Sequence, residues 1–126
     1  MFSGAVELLK ELRRFGIKIA IGSGSKNART VIDKLGSADL IDAIADDNSV
    51  ELSTPAPDLF LYAATQLELD PAHCVVVEDA TVGIEAAIAA GMWSIGIGPQ
   101  ERVGAANIVL PNLIGVHLSD LQAQWR

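Results

Sequence analysis

The 126 residues predict an α/β fold of three layers, a mostly parallel open sheet with helices on both faces. Three observations carry that expectation. Apolar runs such as "IKIAIG" and "CVVV", too short for buried helices and rich in β-branched residues, alternate with stretches of helical period. Half of the residues are hydrophobic, enough to bury one core, and no repeat, low-complexity tract or linker interrupts the alternation, so one domain spans 1–126. Polar residues gather directly after two of the apolar runs, where sheets of this kind hold their ligands.

The elements follow in order. Val6, Leu8, Leu9, Leu12 and Phe15 give a first helix, with Ser3 as its cap and Gly16 as its stop. Residues 17–22 read as a central strand, 27–35 as a second helix ending at Gly36, and 40–45 as a shorter strand. Pro55 and Pro57 hold "PAPD" as a loop, after which "DLFLYAATQLE" continues with helical spacing. "CVVVED" is a buried strand ending on two carboxylates, and the small residues of "ATVGIEAAIAAG" make a helix that approaches a sheet closely. "WSIGIG" reads as a strand, "ANIVL" as an edge strand, and "LSDLQAQW" as a closing helix capped by Ser119.

Composition narrows the function. Sixteen acidic against nine basic side chains give a net charge of -7, which repels a nucleic-acid backbone. Lys10, Arg13, Arg14 and Lys18, interleaved with Glu7 and Glu11, read as a solvated helix face. The single cysteine, Cys74, forms no internal disulfide and reads as a small core hydrophobe. No apolar run approaches the roughly 20 residues that span a bilayer, and Glu7, Lys10 and Glu11 break the first apolar stretch too early for a secretion signal. No membrane association and a cytoplasmic location are expected.

Two polar groups remain as candidate sites. After the first strand, Ser23 and Ser25 offer hydroxyls, Gly22 and Gly24 let backbone N–H groups approach an oxyanion, and Lys26 adds charge near a helix start, with Asn27 following. The set suits phosphate; the same residues also suit a plain cap, Ser25 or Asn27, with Lys26 solvated. After the "VVV" run, Glu78 and Asp79 are hard oxygen donors of the kind magnesium uses, and they equally suit an ordinary capped turn. His73 and His117 lack acids at suitable spacing and read as boundary or surface residues, while Met92, Trp93 and Trp125 read as core or contact residues.

"GIKIAIGSGSKNA", "PAPDLF", "VVVEDATVGIEAAIAAGM" and "IGIG", in that order, resemble the haloacid dehalogenase (HAD) superfamily and within it the β-phosphoglucomutase-like phosphatase and mutase branch. The resemblance covers residues 4 to about 121 and implies a Rossmann-like, HAD-like sheet. By it, Ser23 falls on the family's phosphate-binding serine, with Gly24, Ser25, Lys26 and Asn27 in the same loop, and Glu78 and Asp79 on its magnesium-binding acidic pair. Such enzymes carry out phosphoryl transfer from an Asp-x-Asp-Gly strand whose first aspartate attacks phosphorus and whose second works as acid and base. These 126 residues contain no Asp-x-Asp, and they match the family from the helix that follows both that strand and a substrate-selecting cap domain. At the family's lysine ahead of "PAPD" stands Thr54, neutral and too short to offset developing phosphoryl charge.

The expectation is therefore a HAD-like core domain without cap, a pseudoenzyme with no catalytic residue of its own, binding phosphate or a small phosphorylated ligand and, in the millimolar range at best, magnesium. Asp33, Asp39, Asp42, Asp46 and Asp47 do not follow a central strand and do not replace the nucleophile. Two alternatives stand beside it: half of a split phosphatase or mutase completed by another chain, and a protein-interaction module on the same fold. In the family the absent strand lies between those ending at Ser23 and Glu78. The two flanking strands are thus expected to pair directly unless another chain fills the gap. A homodimer through leftover apolar surface is compatible with that arrangement.

Overall fold

The computed structural model describes residues 5–22, 41–45, 50, 52 and 54–122. Helix α1 (Ala5–Arg14) presents Leu8 and Leu12 to the interior. It ends where the Gly16 N–H donates to Arg13 and the Ile17 N–H to Leu12, with Gly16 at φ +74, a left-handed stop that glycine adopts without steric cost. Strand β1 (Ala20–Gly22) is shorter than the apolar run that announced it and pairs in parallel with β2 (Ala43–Ala45), Ala20 opposite Ala43. The expected cap at Ser3 and the expected helix over 27–35 lie outside the described residues.

Helix α2 (Asp58–Leu67) follows the two prolines, as their fixed φ requires. A 3₁₀ turn (Pro71–His73), capped by the Asp70 carboxylate on the Ala72 N–H, leads into β3 (Val75–Glu78) and then α3 (Thr81–Ala89). Strand β4 (Trp93–Ile97), the short helix α4 (Gln100–Val103), strand β5 (Ile108–Leu110) and helix α5 (Leu118–Gln122) complete the order. The 3₁₀ turn and α4 were not read from the sequence. Ser119 lies within α5 and is not its cap. Instead the Asp120 carboxylate accepts from the His117 N–H at 3.0 Å, the back half of a capping box.

Two parallel sheets form, β1-β2 and β3-β4-β5, and no ladder joins β1 to β3 among the described residues. The expected direct pairing of these strands does not occur. Side chains rather than main-chain bonds set the spacing: Leu59, Phe60, Ala63 and Ala64 of α2 pack in one cluster with Ala45 of β2, Val76 of β3, and Ala86 and Ala87 of α3. Lateral closure would displace that cluster. On the opposite face Leu8 and Leu12 of α1 and Leu121 of α5 pack on Ile95, Ile97 and Ile108, which gives the three layers. Buried Ser94 is fully engaged, its N–H donating to the Asn107 side chain at 2.9 Å.

The basic face of α1 is more than solvated. Arg13 donates to Asp42 at 2.5 Å, and the Lys18 ammonium donates to the Leu67 carbonyl at 2.9 Å. Asp42 also accepts from the Ile19 N–H at 2.7 Å, which fixes the entry to β1. The Arg13 guanidinium foremost, with the Ile19 N–H, holds the Asp42 carboxyl below its ordinary value of 3.8. A depressed folded-state pKa contributes stability that is present above the unfolded-state value and disappears as pH falls through the folded-state value. The expected outcome is that Asp42→Asn lowers the urea midpoint at neutral pH and that the gap to wild type narrows as pH falls below the ordinary carboxylate range. An equal gap at neutral and at low pH would contradict this role.

Candidate metal- and phosphate-binding site

Strand β3 is buried through Val76 and delivers Glu78 and Asp79 at its C-terminal end, level with Gly96 of β4. The Glu78 side chain turns back over the start of α3. Its Oε1 accepts the Asp79 N–H at 3.0 Å and the Ala80 N–H at 3.2 Å. Gly83 makes that pose possible, because a Cβ there would stand 2.2 Å from the Glu78 carboxyl carbon and 2.4 Å from Oε2. Ala80, extended at φ -114 and ψ 143, supplies no side-chain cap, so the positive end of the α3 dipole faces the acidic turn.

The two carboxyls act on one another. Burial foremost, and then the hydrogen-bonded and like-charged Asp79 carboxyl, push Glu78 above the usual carboxylate range, against the pull of the two N–H groups. A half-buried carboxyl beside an exposed one suits a divalent cation, which would relieve the repulsion and the desolvation together. Magnesium takes one or two protein carboxylates and fills its octahedron with water and phosphate oxygens, so this donor set fits it. Among the described residues no third His, Cys, Asp or Glu joins the pair. The capped turn expected from the sequence is present, and its two carboxylates are the donors a metal would use there.

One side chain was missed. Arg102 of α4 donates from Nε to the Asp79 main-chain carbonyl at 2.7 Å, and Thr81 Oγ1 donates to the Arg102 carbonyl at 2.7 Å. Arg102 binds the main chain and not the Asp79 carboxylate, and no expectation from the sequence had placed it here. The signal available in the sequence was topological: the loop after "WSIGIG" must end beside the loop after "VVVED" when the two strands are parallel neighbours.

Thr54 lies half-buried in the turn before α2, and no hydrogen bond or ion pair joins it to Glu78 or Asp79. Ser23, Gly24, Ser25, Lys26 and Asn27 lie outside the described residues, as do Asp33, Asp39, Asp46, Asp47 and Trp125. Asp42 is engaged by Arg13 and Ile19, not poised for attack. His73 and His117 are exposed, the latter 2.9 Å from Glu11 across α1 and the entry to α5. Cys74 is half-buried against the core, its thiol pushed up by burial and by the Asp70 charge, so it is no thiolate nucleophile.

Comparison with known proteins agrees with this architecture. A family model for haloacid dehalogenase-like hydrolases matches residues 1–91, and the chain belongs to that family. Within it the similarity is to the β-phosphoglucomutase-like branch. The β-phosphoglucomutase of Bacillus subtilis strain 168 is 34% identical over 125 residues, covering 99% of this chain and 55% of that protein. A crystal structure of β-phosphoglucomutase from Clostridium difficile superimposes with a TM-score of 0.95 at 34% identity, over 99% of this chain and 56% of the other. CbbY from Rhodobacter sphaeroides, solved in complex with phosphate, gives a TM-score of 0.87 at 26% identity over 96% of this chain and 58% of the other. The chain thus spans about half the length of these three relatives.

Gly83→Ala separates the stability of α3 from the pose of Glu78. Alanine stabilises a helix interior by roughly 0.5–1 kcal/mol over glycine, while its Cβ expels a flexible carboxylate. The expected outcome is an unchanged or raised thermal midpoint together with weaker Mn²⁺ binding in equilibrium dialysis. Unchanged Mn²⁺ affinity would contradict the seat.

Proposed function

We propose that this chain is a HAD-like domain that holds phosphate and magnesium at the C-terminal ends of its strands and does not turn over phosphate esters by itself. Ser23, Gly24, Ser25, Lys26 and Asn27 form the phosphate loop, and Glu78 and Asp79 hold the metal. Bound there, magnesium supplies charge neutralisation at phosphoryl oxygens. The domain's own residues bind and orient: the hydroxyls and N–H groups of the loop receive the anion, and Gly83 and the start of α3 fix the acidic pair.

The observation that carries this reading is the chemistry of the side chains present. The two carboxylates at the end of β3 suit a metal, and a carboxylate bound to Mg²⁺ is a poor nucleophile. Thr54 stands where the related enzymes place a lysine, and phosphoryl transfer depends chiefly on such charge. The CbbY complex with phosphate and the phosphomutase relatives support a phosphorylated small molecule as ligand, and the charge of -7 weighs against nucleic acid.

A second reading has its own observation. Strands β1 and β3 each pair on one side only, which leaves two edges able to take a further strand. A segment or separate chain bearing Asp-x-Asp in such a strand would complete a phosphatase or mutase. Hydrolysis of p-nitrophenyl phosphate with magnesium tests both readings. The expected outcome is no turnover above a matched blank for the chain alone. Turnover by the chain alone that Glu78→Gln abolishes would contradict the first reading, and turnover restored only by an added Asp-x-Asp segment would establish the second.

A further inference from the structure

We propose that Arg102 is a positioning residue for the acidic turn, holding Glu78 and Asp79 in place from α4 through a two-bond clip. The inference rests on the reading of that turn as the metal seat. The clip is reciprocal: Arg102 Nε–H donates to the Asp79 carbonyl, and Thr81 Oγ1 donates to the Arg102 carbonyl, both at 2.7 Å. One residue of α4 therefore grips the chain on both sides of Ala80, the residue whose N–H Glu78 accepts.

The neighbouring residues are shaped around this grip. Val103, the residue after Arg102, is fully buried, and a Cβ on Gly96 would stand 2.6 Å from its Cβ. Gly96 is the β4 partner of Glu78 in the register, so its missing side chain lets α4 settle onto the sheet at the level of the acidic pair. Gly98, at φ +133, passes beneath the guanidinium: a Cβ there would stand 2.3 Å from Arg102 Nη2. Two glycines, one buried valine and two hydrogen bonds thus converge on one arginine. That arginine bonds the turn's main chain and neither carboxylate, which is the geometry of a group that orients ligands without being one.

The test uses Mn²⁺ as probe on the full chain, read by the electron paramagnetic resonance signal of the free ion, together with amide exchange at Asp79 and Ala80. Arg102→Ala is expected to weaken Mn²⁺ binding by roughly tenfold or more, in the manner of an outer-shell partner, and to speed exchange at those two amides. Thr81→Val, which deletes one hydroxyl and leaves the arginine, is expected to shift both readouts in the same direction by less. Arg102→Lys keeps the charge without the Nε–H and is expected to behave like the alanine variant; wild-type behaviour would overturn the clip in favour of a charge effect. Unchanged binding and exchange in Arg102→Ala, with Glu78→Gln losing Mn²⁺, would overturn the positioning role while the metal seat stands. Faster exchange in Arg102→Ala, with a wild-type chain that binds no Mn²⁺, would overturn the metal seat and uphold the clip.

Discussion

Two strand edges govern this molecule. Strand β1 pairs only with β2, and β3 only with β4, so the main-chain groups on their other edges have no ladder partner among the described residues. A sheet divided in this way has to be held by side chains. Helix α2 does that, because its apolar stripe of Leu59, Phe60, Ala63 and Ala64 meets Ala45 of one sheet and Val76 of the other in a single cluster. The Lys18 ammonium adds a polar tie from the entry of β1 to the C-terminal end of α2. The two sheets keep their spacing through packing, which is stiff at native density.

The acidic turn is built differently, from main-chain hydrogen bonds and missing side chains. Glu78 is half-buried and next to another carboxyl in the chain, a costly arrangement for two anions. It persists because two N–H groups point at one of its oxygens and Gly83 leaves room for the other. Gly96 and Gly98 do the same service for α4, and Arg102 transmits the position of that helix to the turn. Removing side-chain volume at three positions lets charged groups come together where bulk would have kept them apart.

Much of this was open to reading along the chain. The period of "CVVVED" followed by "ATVGIEAAIAAG" marks a strand and helix whatever surrounds them, since the alternation of Val75 and Val76 between two faces and the small residues of α3 are local consequences of burial. Glu78 and Asp79 were visible for the same reason, as carboxylates closing a buried strand. What stayed hidden depended on register or on competition. Arg102 reaches Asp79 only because Glu78 stands opposite Gly96, a fact of pairing that no spacing along the chain encodes. Ser119 is a good cap by residue type, yet Asp120 one place later bonds the His117 N–H, so the cap position and the helix start fall two residues earlier. Lateral closure of the sheets is favourable by backbone counting and fails against the volume of α2.

The chemical conclusion follows from what stands at the strand ends. The acidic pair is suited to a cation, Asp42 is occupied by Arg13, and Thr54 carries no charge. These three positions are the basis of the proposed reading that the domain binds phosphate without attacking it. Incubation of the purified chain with a phosphoryl donor and magnesium, followed by acid quench and intact-mass spectrometry, addresses that point most directly. The account requires the unmodified mass alone; a phosphoryl adduct mapped to any Asp or Glu of these 126 residues would contradict it.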